Sequence, residues 1–170
     1  AALKFKLAVR VPAWASSFSV RVNGVLIEPQ ISKDGDPLAS ANGLNFNAAR
    51  WMVLDREFKP DDEINLKFEM SVRLLRQDDR LPKCGGKVVV TRGPVVYCLE
   101  SLDNASDIFK TTLMPGSLQP HFDESMMGGT WTVRGMDDQG NPLVFIPYML
   151  WGNRGWSGMT LFVNENNRKP

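Results

Sequence analysis

Apolar and polar side chains alternate with a period of two along most of this chain, and no other feature constrains its fold as strongly. Residues 4–11 read KFKLAVRV, which places four apolar side chains on one face. Residues 64–70 alternate most cleanly, and the pattern predicts a strand that continues to Leu75. A strand with one buried face has this period, whereas a helix repeats about every 3.6 residues. The chain is therefore predicted to be all-β.

Turn signals separate the alternating runs. Asn23-Gly24 supplies the positive φ angles of a tight hairpin turn, and residues 137–141 (DDQGN) join two further strand-like runs. Residues 30–47, rich in Gly, Asn, Asp and Ser, predict a long loop, and residues 101–129 are the least regular stretch. Many short strands between such turns favour antiparallel β-sandwiches.

Residues 77–86 hold several charges, Pro82 and a Gly-Gly pair, and they predict a connection between two structural units. We therefore expect two small packed β-sandwich units, residues 1–76 and residues 87–170. The first residues already read as a strand rather than a signal peptide. We therefore expect the chain to be part of something longer, and no compartment is indicated.

The charges argue against two classes of partner. Lysine and arginine total 20 against 19 aspartate and glutamate, a formal net charge of +1, and the two signs are interspersed. Nucleic-acid-binding proteins instead concentrate basic side chains in a patch. No apolar run approaches the roughly 20 residues of a membrane-spanning helix. We expect neither nucleic acid nor a membrane as a partner.

No set of residues predicts catalysis by this chain. A serine or cysteine nucleophile needs a histidine base, and His121, the single histidine, is predicted to be a solvated loop residue. A glycosidase needs two facing carboxylates, but the acidic candidates lie in predicted turns, where they are expected to be turn formers. These are Asp61, Asp62, Asp78, Asp79, Asp123, Glu124, Asp137 and Asp138. We predict no catalytic residue.

Metal ligands are equally sparse. Cys84 and Cys98 fit no zinc spacing. We expect Cys98 in the core and Cys84 as a loop thiol, and the sequence leaves a disulfide between them open. Asp34 and Asp36 form only a weak version of a calcium loop. We predict no metal site and no cofactor in this chain.

Five tryptophans are many for 170 residues. Trp51 and Trp131 lie in predicted strands and are expected in the core. Trp151 and Trp156 flank a glycine-containing turn, where exposed rings can stack on sugar faces. These two are the candidate substrate-binding residues, and they raise the alternative of a carbohydrate-binding module.

Four motifs follow one another along nearly the whole chain. They are RVPAWA (10–15) with VRVNG (20–24), then residues 51–70, then TRGPVVYCLE (91–100), and finally IPYMLWGNRGWSGM (146–159). In this order they resemble bacterial β-L-arabinofuranosidases of glycoside hydrolase family 127. Arg50-Trp51 and Asp61-Asp62 stand where Gly-Tyr and Gly-Asp are usual in that family. These departures leave open which arabinoside is involved.

The resemblance implies that this chain is the non-catalytic C-terminal β-sandwich portion of such an enzyme. In that family an upstream (α/α)6 barrel carries a cysteine nucleophile and a cysteine-rich zinc site, and those motifs match nothing here. We therefore expect the barrel as the partner of this chain, zinc only in the barrel, and neither Cys84 nor Cys98 as the nucleophile. The family's sandwiches can also join subunits, so a homodimer is a further expectation. The first sandwich of the family takes strands from upstream, so the resemblance implies that the first unit of this chain is incomplete and lacks those strands.

Five residues in these motifs are expected to fix loops or to contact the barrel: Arg92, Tyr97, Tyr148, Asn153 and Arg154. Each also has an internal alternative, since arginine and asparagine can satisfy carbonyls at sheet corners and tyrosine can fill the core. Three functions thus stay distinct. They are a structural module of the enzyme, a binding module for arabinose-containing glycans, and an autonomous enzyme, for which no acid, base or nucleophile set is recognisable.

Overall fold

A computed structural model describes residues 1–32, 50–76 and 86–166 of the chain. The predicted all-β class is confirmed, because these residues form β-strands and two short 3₁₀ helices, Pro115–Ser117 and Tyr148–Leu150. The chain divides into two compact units, Ala1–Ser71 and Val72–Pro170. Within the described ranges, no helix is long and apolar enough to cross a membrane.

The first unit is built from two three-stranded antiparallel sheets, in the orders β1-β5-β4 and β3-β2-β6. The strands are β1 (Leu3–Val11), β2 (Phe18–Val22), β3 (Val25–Ile27), β4 (Gln30–Ser32), β5 (Arg50–Phe58) and β6 (Ile64–Phe68). One core cluster takes Met52 and Leu54 from the first sheet and Val20 and Val22 from the second. The alternating runs therefore bury one face of each sheet, as their period requires.

The predicted Asn23-Gly24 hairpin is confirmed. Both residues have positive φ angles, 51° and 80°, and Val22 pairs directly with Val25 across the turn. The Asn23 side chain donates to Asp62 Oδ1 at 2.8 Å and accepts from the backbone N–H of Glu63 at 2.9 Å. The hairpin turn is thereby hydrogen-bonded to the turn that precedes β6.

The second unit contains one hydrogen-bonded network of nine strands. They are β7 (Val72–Arg76), β8 (Lys87–Arg92), β9 (Val95–Glu100), β10 (Thr112–Leu113), β11 (Gln119–Asp123), β12 (Thr130–Met136), β13 (Pro142–Pro147), β14 (Met159–Thr160) and β15 (Val163–Glu165). Strand β8 links two parts of this network, because it pairs with β15 near its start and with β9 near its end. The central strands β9 and β13 bury Tyr97, Leu99 and Phe145 in a single core.

The predicted strand from residue 64 to Leu75 is wrong. β6 ends at Phe68, and Val72–Arg76 is a separate strand that pairs with β8 in the second unit. The boundary between the units therefore lies after Ser71, whereas the sequence placed the end of the first unit at residue 76. The period of two continues across the break through Phe68, Met70 and Val72, so alternation alone does not reveal it.

Three shorter predictions also differ from the structure. Gln30–Ser32 is a strand at the start of the predicted loop, and His121 lies half-buried in β11 rather than in a solvated loop. The sequence of residues 159–163 predicts one final strand, but Met159–Thr160 and Val163–Glu165 are separate strands that pair with different partners. Strands of two to five residues depend on their neighbours for pairing, and their own sequence carries little signal.

Several predictions fall in residues 33–49 and 77–85, which lie outside the described residues. They are those for Asp34, Asp36, Asp78, Asp79 and Cys84, most of the 30–47 loop, and residues 77–85 of the predicted connection.

Trp51 and Trp131 were expected in the core, and this is wrong. Their exposed fractions are 37% and 43%. The side chain of Trp51 lies on the outward face of β5, since its neighbour Met52 is fully buried on the other face. Strand membership therefore does not decide burial, because successive side chains point to opposite faces.

Candidate functional site

Most of the predicted site residues lie in one segment of the second unit, residues 148–158, which we call the aromatic loop. It connects β13 to β14, and both strands pair with β9. The loop holds Tyr148, Trp151, Asn153, Arg154 and Trp156. Its course requires glycine, since positions 152 and 155 have φ angles of 77° and 132°.

A buried carboxylate at the end of β9 binds the aromatic loop through hydrogen bonds on its inner side. The Glu100 side chain is 0% exposed and accepts three hydrogen bonds, all from the loop. Ser157 Oγ donates at 2.5 Å, Arg154 Nη2 at 2.5 Å and the backbone N–H of Gly152 at 3.2 Å. Burial alone would raise the pKa of Glu100, but these three donors outweigh it and hold the pKa below its usual value.

Arg154 joins this carboxylate to a second one. Its Nη1 and Nη2 donate to the two carboxylate oxygens of Asp103 at 2.7 and 2.5 Å, in addition to the bond with Glu100. The Asp103 hydrogen bonds, and then those to Glu100, raise the pKa of Arg154. A planar guanidinium suits such a bidentate arrangement. We refer to Glu100, Asp103, Arg154 and Ser157 as the Glu100 cluster.

The far end of the aromatic loop is closed by backbone pairing. Ser101 N–H donates to the Gly158 carbonyl at 2.9 Å, and Gly158 N–H donates to Ser101 Oγ at 3.0 Å. The ring of Phe109 lies close above Gly158, at a distance that would put an added Cβ 3.4 Å from its edge. The loop is thus attached at both ends and in the middle.

The aromatic loop exposes several large apolar side chains. Trp156 is 100% exposed and Met149 is 70% exposed. The rings of Tyr148 and Trp151 are partly exposed and stack on each other, with centroids 6.3 Å apart and planes 14° apart. The adjacent Phe109 is also exposed. Exposure of Trp151 and Trp156 agrees with the expectation from the sequence, while their contact with sugar stays a prediction.

Arg92 and Tyr97 lie outside the aromatic loop and make internal contacts. The guanidinium carbon of Arg92 is 4.3 Å from the ring centroid of Trp131, a cation–π arrangement. Tyr97 is buried beside Arg92; burial raises the pKa of its phenol, against the opposing effect of the Arg92 charge. Trp131 in turn packs edge-on against Phe122 at 5.5 Å.

Three of the acidic residues that the sequence placed in turns, Asp62, Asp123 and Asp137, accept hydrogen bonds within those turns. Asp62 accepts from the backbone N–H of Lys59, its own turn, and this bond is the main reason that its pKa is lowered. Asp137 accepts from the side chain and backbone of Asn141 at 2.8 and 2.7 Å, which closes the predicted 137–141 turn. Asp123 accepts from Ser125 in the same way. These acids are engaged within their turns, as the sequence predicted.

A groove of about 580 Å³ lies within the first unit, between the turn at Lys59 and the strands β3 and β5. Both acidic and basic side chains line it, including Asp55, Arg56 and Lys59. Asp62, also in its wall, is the turn former just described. Across the described ranges, no three histidine, cysteine, aspartate or glutamate side chains are grouped so that they could hold a metal ion.

Cys98 is fully buried in β9, as predicted, and burial raises the pKa of its thiol to about 12. The nearby charges of Glu100 and Asp103 act in the same direction. Because the thiolate is the reactive form, we expect iodoacetamide to leave Cys98 unmodified in the folded chain and to alkylate it after unfolding in urea. A Cys84→Ser background isolates the Cys98 signal in mass spectrometry. Alkylation of the folded chain at the rate of a free thiol would contradict this.

Sequence reasoning missed Glu100, Asp103 and Ser157. One signal was available for Glu100: it follows the apolar run 95–99 without an intervening turn residue, so the strand carries it into the interior. Its partner Arg154 is 54 residues away, and no local pattern connects the two.

Residues 72–164 match the family model of the glycoside hydrolase family 127 C-terminal domain. The chain is 27% identical to the non-reducing end β-L-arabinofuranosidase of Bifidobacterium longum subsp. longum, covering 92% of this chain and 25% of that protein. It superposes on a family 127 β-L-arabinofuranosidase from Geobacillus stearothermophilus T6 with a TM-score of 0.75, at 26% identity, covering 97% of this chain and 27% of the other.

A second solved structure, described as a glycoside hydrolase, gives a TM-score of 0.77 at 25% identity and covers 96% of this chain and 28% of its own. The chain thus spans about a quarter of the length of the relatives it matches.

Proposed function

This chain belongs to glycoside hydrolase family 127, as the match of residues 72–164 to its C-terminal domain shows, and we propose that it is the non-catalytic C-terminal portion of a β-L-arabinofuranosidase. Its role is to support the catalytic part of the same polypeptide. The observation that carries this proposal is the coverage: almost the whole chain superposes on only about a quarter of a β-L-arabinofuranosidase.

The chemistry of the described residues supports a non-catalytic role. Most glycosidases use two carboxylates that flank the scissile bond, about 5 to 9.5 Å apart, and the resemblance implies a cysteine nucleophile in this family. Cys98 is fully buried. Glu100 and Asp103 are both bound to the Arg154 guanidinium of the aromatic loop, and Glu100 is inaccessible. Asp62, Asp123 and Asp137 accept hydrogen bonds within their own turns. The resemblance implies a zinc ion in the family, and we assign it to the catalytic part. Among the described residues no three histidine, cysteine, aspartate or glutamate side chains are grouped as metal ligands.

Hydrolysis of p-nitrophenyl β-L-arabinofuranoside tests the proposal. We expect no release of p-nitrophenol above the uncatalysed rate by the 170-residue chain. The polypeptide encoded by the complete reading frame should hydrolyse the same substrate. Turnover by the purified chain, or a complete reading frame with no further domain, would contradict the proposal.

A further inference from the structure

We propose that the aromatic loop is the surface by which this chain docks on the catalytic part of its own polypeptide, with Trp156 as the anchoring side chain. The inference rests on the proposed function, since it names the surface through which the support acts. It starts from the exposure of Trp156, which is complete, and from the exposed Tyr148, Met149 and Trp151 in the same loop. Large exposed apolar surfaces on soluble proteins commonly mark interaction sites.

The backbone that carries the exposed rings is held firmly, which distinguishes the aromatic loop from a loose segment. Glu100, with no exposed surface, binds the loop at Gly152, Arg154 and Ser157. Asp103 binds Arg154 a second time. A surface that is fixed before binding loses little conformational entropy on docking, and so more of its contact energy contributes to association. The buried cluster therefore fixes the backbone from which the rings project, so that little backbone freedom is lost on docking.

The side-chain types fit a protein partner. Tryptophan and tyrosine are enriched among the residues that dominate interface energies, and charged groups are depleted at interface centres. In the aromatic loop, Arg154 is engaged from below by Glu100 and Asp103, so its charge is already compensated.

The size of the patch favours a tethered partner. Aromatic side chains bury about 150–250 Å² each, so the partly exposed rings and Met149 offer on the order of 500 Å² per side. That corresponds to about 1,000 Å² in total, within the roughly 600–1,500 Å² of interfaces between domains of one chain. A freestanding complex typically buries about 1,600 Å². Covalent linkage raises the effective concentration to about the millimolar range, which lets a smaller surface suffice.

The relatives supply a partner of the required kind. Residues 72–164 match a C-terminal domain, and about three quarters of the relatives' length lies outside the matched region. We therefore commit to the preceding catalytic part as the occupant. A second copy of the chain and a glycan are alternative occupants that the experiment separates.

Photocrosslinking in the full-length polypeptide tests the docking surface. Trp156 is replaced by p-benzoylphenylalanine, and the same replacement at Phe122, a half-exposed ring on the edge strand β11, is the control. We expect irradiation to give cross-linked peptides that join position 156 to the preceding part of the same polypeptide, and the Phe122 control to lack them. Cross-links only between differently isotope-labelled copies, or none at all, would overturn the inference.

A stability comparison gives a second, independent readout. Because Trp156 contacts nothing that its removal would expose, Trp156→Ser is expected to leave the Tm of the 170-residue chain unchanged. In the full-length enzyme the same change should shorten the half-life of activity at elevated temperature, while the exposed control Leu26→Ser does not. Equal half-lives for the two variants would overturn the inference. An inactive full-length protein would instead refute the proposed function and leave the cross-linking result to be judged alone.

Discussion

Arg154→Met is expected to lower the free energy of unfolding of the second unit by about 3 kcal/mol, since removing one partner of a buried ion pair costs roughly 3–5 kcal/mol. The change would leave the Glu100 carboxylate in the interior with two donors in place of three. Part of the Arg154 side chain is exposed, which places the expected loss at the lower end of that range. Urea denaturation followed by tryptophan fluorescence measures the change.

Arg134→Met is the matched control for this prediction. Arg134 also pairs with an aspartate, Asp123, but at 3.4 Å and with about half of the arginine side chain exposed. Exposed pairs typically contribute about 0.2–1 kcal/mol. Hydrogen exchange adds a local readout, since only Arg154→Met should speed exchange at the amides of Gly152 and Gly158. Equal, small losses for both variants would show that the Glu100 cluster does not hold the aromatic loop.

The strands of this fold are predictable from sequence wherever alternation and turn chemistry agree. The Asn23-Gly24 hairpin and the 137–141 turn were both identified from residue type, because each position needs a particular backbone angle or side-chain acceptor. The break after Phe68 could not be identified. The backbone N–H of Glu69 still donates to the Ser17 carbonyl at 2.9 Å. Only the pairing of Val72–Arg76 with β8 assigns the following residues to the second unit.

The exposed turn of the candidate site was predictable from the sequence, whereas the buried contacts that hold it were not. The glycine positions around Trp151 and Trp156 indicated a turn, and a turn exposes its side chains. What holds that turn is a tertiary arrangement: Glu100 is placed by β9 and Arg154 by the loop after β13. Their meeting depends on the pairing of Pro147 with Tyr97, which local patterns do not specify. The same holds for Arg92, whose ring partner Trp131 comes from another strand.

Asn104 takes the place of a missing strand residue in the second unit. β9 and β13 pair from Pro147–Tyr97 to Phe145–Leu99, and the next position on β13 is Val144. There β9 ends and turns away, and the buried Asn104 amide supplies the hydrogen bonds instead. Asn104 Oδ1 accepts from Val144 N–H at 2.9 Å, and Nδ2 donates to the Val144 and Glu100 carbonyls at 3.1 and 2.8 Å. Although Asn104-Ala105-Ser106 matches a glycosylation acceptor, the amide is fully engaged in the folded chain.

Asn104→Ala is therefore expected to cost about 3 kcal/mol in free energy of unfolding, because a buried group left without its partner costs roughly 1–3 kcal/mol and the N–H and the carbonyl of Val144 both lose theirs. The Glu100 carbonyl keeps the backbone N–H of Asp103, at 3.1 Å. Some of this loss is recovered if water enters the vacated space. Asn104→Asp should be at least as destabilising, because its carboxylate would face the carbonyls of Val144 and Glu100 with no proton to donate. Asn153→Ala, which removes an exposed amide, should stay within about 0.5 kcal/mol of the native chain. Urea midpoints measure all three, and an Asn104→Ala midpoint that matches Asn153→Ala would show that the amide does not replace the strand.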